Sequence, residues 1–173
     1  MQRVNLFPNP RMTSTGTQPR SIDATVVMNG DGSFTIKNSG TRIGGYATFI
    51  LDLQPGAKLH AHSVSTFTAD ATNMRGARMG VRAYSAGSLI TQTYLNGVKG
   101  YNENDLDFTV PSDGKVTIEF RGDKLVDNVR VSHVIIEDAT TWAQAEAQAV
   151  GGGLATRSGS QEPQGPSSIM GGR

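Results

Sequence analysis

The sequence has 173 residues and a formal net charge of +1, with 18% charged residues and 21 glycines. A chain of this length favours one domain, and few charges with many glycines favour an all-β protein with numerous turns over a helical bundle. The sequence contains no cysteine, which excludes disulfides and Cys-ligated zinc. It also contains no basic run, which excludes the electrostatic footprint of a nucleic-acid-binding protein.

Residues 1–22 are predicted to form an extended lead-in and a first strand. Pro8, Pro10 and Pro19 each remove a backbone donor and push the preceding residue toward extended conformations, so a helix is disfavoured. The segment has no apolar stretch of the kind found in secretory signals. No part of the sequence approaches the roughly 20 apolar residues that cross a bilayer, so no membrane insertion is expected.

Residues 23–138 are predicted to form one antiparallel β-sandwich. Short runs of alternating apolar and polar residues recur here, and turn residues such as Asn29-Gly30-Asp31-Gly32 separate them. Turn signals every ~8–12 residues are typical of a sandwich or barrel. The predicted strands are 24–28, 33–37, 44–53, 58–68, 78–84, 89–94, 106–110, 115–121 and 125–137, with a loop over 96–104.

After Asp138 the pattern changes to that of a short helix followed by a tail. Residues 139–150 are rich in Ala and Gln, which favour a helix. Either Asp138 or Thr140 is placed to cap its start, and the glycines at 151–153 are expected to end it. Residues 151–173 are rich in Gly, Ser and Pro, so they cannot build a core and are predicted to be a flexible tail that neighbouring subunits hold.

The histidines and the carboxylate pairs, such as Asp105 and Asp107 or Glu137 and Asp138, predict neither catalysis nor a metal site. His60 and His62 share one face of a predicted strand and, with His133, could hold zinc. No acidic residue lies close to them in sequence, so two surface histidines are the favoured interpretation and no metal or cofactor is expected. Asp105 and Asp107 are interpreted as a solvated strand face rather than as a glycosidase pair. No Gly-x-Ser-x-Gly motif occurs, so no catalytic residue and no enzyme are predicted.

Aromatic residues supply the candidate binding sites. Tyr84, Tyr94 and Tyr101 lie at or near strand ends and loops, where they could line a glycan-binding cleft. The alternative is that they cap the edges of the core with their hydroxyls facing water. Trp142 lies in a helix that is marginal alone, so it docks either on its own sandwich or on a neighbour. The candidate partner-binding residues are Trp142, Leu154, Ile169 and Met170.

Three short segments resemble carbohydrate-binding-module-like jelly rolls. They are the opening Asn5-Leu6-Phe7-Pro8-Asn9-Pro10, the strand end Phe108-Thr109-Val110-Pro111, and the closing Val126-Asp127-Asn128-Val129-Arg130-Val131. The opening, with the short chain and its Gly-rich tail, also resembles minor tail proteins of bacteriophages that infect actinobacteria. The resemblance implies an all-β, antiparallel jelly-roll sandwich with a short C-terminal helix and a flexible tail.

The resemblance also implies a non-enzymatic component of a phage virion, assembled in the host cytoplasm, that binds other virion proteins and copies of itself. Two alternatives stay open: a glycan-binding module that touches the host surface, and a capsid decoration or head fibre protein. Many relatives of this kind hold a structural calcium with a Glu shortly after the opening motif. Here Arg11 and Met12 occupy that region and suit a hard cation poorly, although Asp127 stands at the position of the ligand on the last strand.

Overall fold

The computed structural model describes residues 3–38, 45–68, 77–94, 99–122 and 128–155, and in these ranges the chain has ten strands and one helix. The all-β prediction is therefore confirmed. The elements are β1 Arg20–Ile22, β2 Ala24–Met28, β3 Ser33–Asn38, β4 Tyr46–Asp52, β5 Lys58–Phe67, β6 Ala77–Ala83, β7 Leu89–Tyr94, β8 Gly100–Thr109, β9 Lys115–Arg121, β10 Asn128–Asp138 and α1 Ala139–Ala155.

The strands form two five-stranded antiparallel sheets that pack as a jelly-roll β-sandwich. Sheet 1 has the order β1-β4-β9-β6-β7, and sheet 2 has the order β2-β3-β10-β5-β8. Side chains alternate between the two faces of a strand, so in β9 Val116, Ile118 and Phe120 are buried between the sheets. The same alternation leaves the outer face of sheet 2 to polar and aromatic side chains, and the candidate site lies there.

Aromatic rings fill the centre of the core and include one from the N-terminal segment. Phe7 is 2% exposed, and its ring centroid lies 4.7 Å from that of Phe49 in an edge-on arrangement. Phe120 lies 5.4 Å from Phe34 and 6.2 Å from Phe49, also edge to face. Such geometry is favourable beyond simple burial, so the segment predicted as a lead-in is part of the hydrophobic core.

The loop after this segment is organised by two side-chain amides. Asn9 accepts a hydrogen bond from the Thr13 backbone N–H and donates to the Thr13 and Thr17 carbonyls. A Cβ atom on Gly16 would lie 2.5 Å from the Asn9 side chain, so this close approach requires glycine. Gln18 donates to loop carbonyls, including that of Gly16 at 2.8 Å. The side-chain amides of Asn9 and Gln18 therefore bind several carbonyl oxygens of this loop.

Two predicted boundaries are wrong. The predicted loop over 96–104 ends earlier, because β8 begins at Gly100. The inward-facing residues there are Asn102 and Asn104, which are buried and polar. Because they are not apolar, the sequence lacks the alternation of apolar and polar residues that predicts a strand. The helix also continues through the predicted glycine stop to Ala155, because each glycine costs only about 1 kcal/mol relative to alanine in a helix.

The chain divides into two compact units, Met1–Trp142 and Ala143–Arg173. In the second unit the helical residues from 143 to 150 are mostly exposed. Of the two predicted caps, Asp138 is the one observed, since its Oδ1 accepts hydrogen bonds from the Thr140 and Thr141 N–H groups. Among the described residues, no helical segment has the length and apolar character that a bilayer crossing requires. Asp127, Ile169, Met170 and the part of the predicted tail from 156 to 173 lie outside the described residues.

Candidate functional site

The outer face of sheet 2 carries a ladder of histidine and aspartate pairs. The register places His60 opposite Asp107 and His62 opposite Asp105 on the neighbouring strand. His60 Nδ1 lies 2.8 Å from Asp107 Oδ1 and its Nε2 lies 3.2 Å from Asp105 Oδ1, while His62 Nδ1 lies 2.7 Å from Asp105 Oδ1. Each histidine therefore has a carboxylate partner that is distant in sequence.

Two interpretations from the sequence are corrected by this ladder. The side chain of His60 is 9% exposed, so it is not a surface histidine, and Asp105 and Asp107 are hydrogen-bond partners rather than a purely solvated face. The acidic partners of the two histidines lie on β8, more than 40 residues away in sequence. Within the described ranges, no group of three or more His, Asp or Glu residues is arranged to hold a metal ion.

Trp142 covers the ladder from the first turn of α1. Its ring stacks on His60 with centroids 4.2 Å apart and planes 17° apart, and on His62 at 5.2 Å. The Arg3 guanidinium lies 5.3 Å from the Trp142 ring centroid, and Arg3 Nε donates to the buried Glu137 carboxylate at 3.1 Å. Of the two interpretations from the sequence, the structure shows Trp142 docked on its own sandwich.

The uncovered half of the same face contains a groove beside Tyr101. Tyr101 pairs with Thr66 across β8 and β5, four residues along β5 from His62, which is about 13 Å. Tyr101 is 78% exposed. We call this the Tyr101 groove; it has a volume of about 380 Å³ and is lined by Asn5, Pro10, Asp31, Gly32, Thr66, Tyr101, Arg130, Ser132, His133, Val134 and Ile135.

A β-bulge turns His133 out of the regular strand at the groove. The pairing of β10 with β5 shifts register between Ser132 and Ile135, and His133 has a φ of 53°. Such a backbone angle is uncommon for a residue with a side chain, and bulges of this kind often re-aim a side chain at a functional site. The bulge lets His133 line the groove and be exposed while Val134 stays in the core.

A charged network forms the wall of the groove opposite Tyr101. Arg130 donates from Nη2 to Asp31 at 2.6 Å and from Nε to the Ser33 hydroxyl at 2.9 Å. The Ser33 hydroxyl donates in turn to Asp31 at 2.6 Å. The hydrogen bond from Ser33, followed by the positive charge of Arg130, holds the pKa of Asp31 below its ordinary value of 3.8. Asp31 is therefore a charged acceptor fixed in one orientation.

The three tyrosines predicted for a cleft lie at different places. Tyr84 is in the turn after β6, where its N–H donates to the Lys115 carbonyl. This is the end of the sandwich opposite Tyr101, because β9 begins there and Tyr101 stands near the start of β8. Tyr94 is the last residue of β7, opposite Ala77. Sequence reasoning missed Arg130, Ser132 and Asp31. The strand pairing and the bulge that bring these residues together cannot be recognised from the sequence.

Comparisons with known proteins identify the fold. No protein-family model matches the sequence, and no curated protein matches it. Among solved structures, 92 chains match. One is the second N-terminal cellulose-binding domain of a β-1,4-glucanase C from Cellulomonas fimi, at 16% identity and a TM-score of 0.56, with 80% of this chain and 96% of that chain covered.

Two further solved structures come from different kinds of protein. A mutant family 29 carbohydrate-binding module complexed with mannohexaose has 12% identity and a TM-score of 0.51, with 79% of this chain and 90% of that chain covered. The enzymatically active domain of tailspike protein 4 from bacteriophage CBA120 has 16% identity and a TM-score of 0.53, with 77% of this chain covered. This chain spans about a fifth (21%) of that tailspike chain. At these identities the comparisons show a jelly-roll fold like that of carbohydrate-binding modules.

Proposed function

We propose that this chain is a non-enzymatic carbohydrate-binding module whose ligand lies in the Tyr101 groove. The observation that carries the proposal is an aromatic ring that is 78% exposed and faces a groove lined by charged and hydrogen-bonding side chains. A large aromatic ring left open to water beside convergent polar groups is typical of a ligand site. The fold, shared with cellulose- and mannohexaose-binding modules, supports the same ligand class.

The chemistry of the groove matches that of a sugar. A pyranose ring has an apolar C–H face, which stacks on an aromatic ring such as Tyr101. Its hydroxyls both donate and accept, and the groove offers the donor Arg130, the acceptor Asp31 and the hydroxyl of Ser132. Because Arg130 and Asp31 already hold each other, they are oriented before a ligand arrives, which lowers the entropy cost of binding.

The carboxylates of this face are committed to other partners, which supports binding rather than hydrolysis. Glycosidases flank the scissile bond with two carboxyl groups that are free to move a proton or attack. Among the described residues that line the groove, Asp31 supplies the carboxylate, and Ser33 and Arg130 hold it. Asp105 and Asp107 face the two histidines beneath Trp142.

The substitution Tyr101→Ala tests this function. A glycan array first identifies a ligand for the full chain, with mannohexaose as one probe, and calorimetry then measures its Kd. Burial of an aromatic ring contributes about 1.5–3 kcal/mol, so Tyr101→Ala should weaken binding about 10- to 100-fold. Tyr84→Ala is the matched control, since Tyr84 is another exposed tyrosine and does not line the Tyr101 groove. Equal affinities for the two variants, or no glycan bound by the wild-type chain, would refute the proposal.

A second candidate role is that of a structural component of a phage particle. The likeness to a bacteriophage tailspike domain favours it, as does the resemblance of the opening motif to actinobacteriophage minor tail proteins. In this role the chain lies in the virion as a minor tail or tail-tip protein, or as a capsid decoration, and contacts other virion proteins. Immunogold microscopy of phage particles that encode the chain tests this, and particles without label at any position would exclude it.

A further inference from the structure

We propose that a second groove, at the end of the sandwich opposite Tyr101, binds residues 156–173 of another copy of this chain. In this arrangement Ile169 and Met170 of one copy enter the groove of the next, and Arg173 lies against the acidic rim. The proposal does not depend on the glycan site, because the two grooves share no lining residue.

The second groove lies where two tight turns meet the N-terminal segment. The turn between β4 and β5 packs on the turn between β8 and β9 through hydrogen bonds from Leu53 N to the Gly114 carbonyl and from Gly56 N to the Val110 carbonyl. We call it the Leu6 groove; it has a volume of about 700 Å³ and is lined by Val4, Leu6, Asp52, Leu53, Gln54, Pro55, Ala57, Leu59, Asp113, Gly114, Glu137, Asp138 and Thr141.

Apolar side chains at the Leu6 groove are open to solvent. Val4 is 56% exposed and Leu6 is 40% exposed, and both lie on the same groove as Leu53 and Pro55. Single exposed apolar residues are ordinary, but a contiguous apolar patch with a polar rim marks an interaction site. The groove therefore suits one or two large apolar side chains.

The rim of the Leu6 groove is acidic. Asp52, Asp113 and Asp138 are exposed at its edge, and Lys115 pairs with Asp52 at 3.6 Å. Hydrogen bonds from Ser85 and from the Lys115 N–H lower the pKa of Asp113, so this carboxylate is charged over the whole neutral range. A rim of this sign favours a partner that places a cation next to its apolar side chains.

The sequence of the C-terminal segment has this pattern. Ile169 and Met170 are adjacent large apolar residues, and Arg173 follows after two glycines. Ile169 comes fourteen residues after Ala155, a stretch that can span up to about 46 Å when extended. That length is enough to reach a neighbouring molecule, and methionine adapts well to irregular apolar surfaces.

A second copy is the favoured source of the segment because residues 143–150 of α1 are also largely exposed. Residues 143–150 are largely exposed, and Val150 is 70% exposed. A helix of this length is marginal without a surface to pack on, so a neighbouring molecule that exchanges C-terminal segments would supply one. Exchange of identical segments between copies is a common route to assembly.

Self-association of the full-length chain tests the inference. Sedimentation velocity across a micromolar concentration series should show wild-type oligomers, and the double variant Ile169→Ser, Met170→Ser should associate at least about tenfold more weakly, since two apolar side chains lose their burial. Val4→Asp should have a similar effect. Val27→Asp is the matched control, because Val27 is also an exposed valine, on β2. A wild-type chain that stays monomeric, or equal behaviour of all variants, would overturn the proposal.

A labelled mixture separates exchange between copies from binding within one chain. A photoreactive residue in place of Met170 is introduced into full-length chains, half of them labelled with ¹⁵N, and the crosslinked peptides are identified by mass spectrometry. Crosslinks that join labelled and unlabelled chains at Val4, Leu6 or residues 53–57 are expected. Crosslinks confined to single chains, or crosslinks to other surfaces, would contradict the assignment.

Discussion

At the scale of single residues, Asn5 connects the N-terminal segment to the last strand. Its Oδ1 accepts hydrogen bonds from the Phe7 and Ile136 N–H groups, and its Nδ2 donates to the Val134 carbonyl. Val134 and Ile136 are in the strand that carries the bulge. One asparagine therefore satisfies backbone groups of β10 beyond Ser132, where the pairing of β10 with β3 ends, and this gives a physical reason for the opening motif seen in the sequence.

The Ser33 hydroxyl is expected to control the ionisation of Asp31. Since the hydrogen bond from Ser33 is the largest cause of the low pKa, Ser33→Ala should raise the pKa of Asp31 toward 3.8. A carboxyl group with a depressed pKa contributes stability above its unfolded-state pKa and loses it as the pH falls through the folded value. An acid titration of the Asp31 carboxyl carbon by NMR measures this. The pKa of Asp113, which Ser85 and Lys115 lower, should not change. An unchanged pKa of Asp31 in the Ser33→Ala variant would contradict the network.

At the scale of elements, the alternation of apolar and polar residues predicts most of the strands. The run from Lys115 to Arg121 alternates cleanly and is strand β9. The first half of β8 was missed because its inward residues are polar: Asn104 donates to the hydroxyls of Ser63 and Ser65 inside the sandwich. A buried polar alternation becomes visible only when the partner strand is known.

The candidate site was harder to predict than the strands. Tyr101 was named from the sequence as an aromatic near a loop, which required only local information. The pairing of His62 with Asp105 depends on the register between β5 and β8, and register is a property of two strands together. The position of His133 depends on a bulge, which adds a residue without any characteristic composition.

The cap of α1 gives a prediction at this scale. Asp138→Ala should cost about 0.5–2 kcal/mol in the stability of the helix start, because the Thr140 and Thr141 N–H groups lose their acceptor. Asp138→Asn keeps a side-chain oxygen and should behave like the wild type. Hydrogen exchange of these two amides measures the effect. Equal protection in the alanine and asparagine variants would show that the cap does not hold the helix.

At the scale of the whole sandwich, two grooves of different chemistry are built on one core. The Tyr101 groove combines an exposed ring with a fixed ion pair, whereas the Leu6 groove combines exposed aliphatic side chains with an acidic rim. The two grooves adjoin along the N-terminal segment and the end of β10, but they share no lining residue. A glycan in the first groove therefore leaves the lining of the second groove available to a partner.

Both grooves depend on the N-terminal segment, since Asn5 lines the Tyr101 groove and Leu6 lines the Leu6 groove. Phe7 anchors this segment in the core at 2% exposure, so Phe7→Ala should destabilise the sandwich by about 3–5 kcal/mol. Leu6→Ala, a change at the exposed neighbouring residue, should lower the free energy of unfolding far less. Urea unfolding followed by Trp142 fluorescence measures both variants, with Phe7→Leu as a milder substitution in case Phe7→Ala does not fold. If the losses at Phe7 and Leu6 were equal, the segment would be an appendage rather than part of the cooperative core, and neither groove would have a fixed wall.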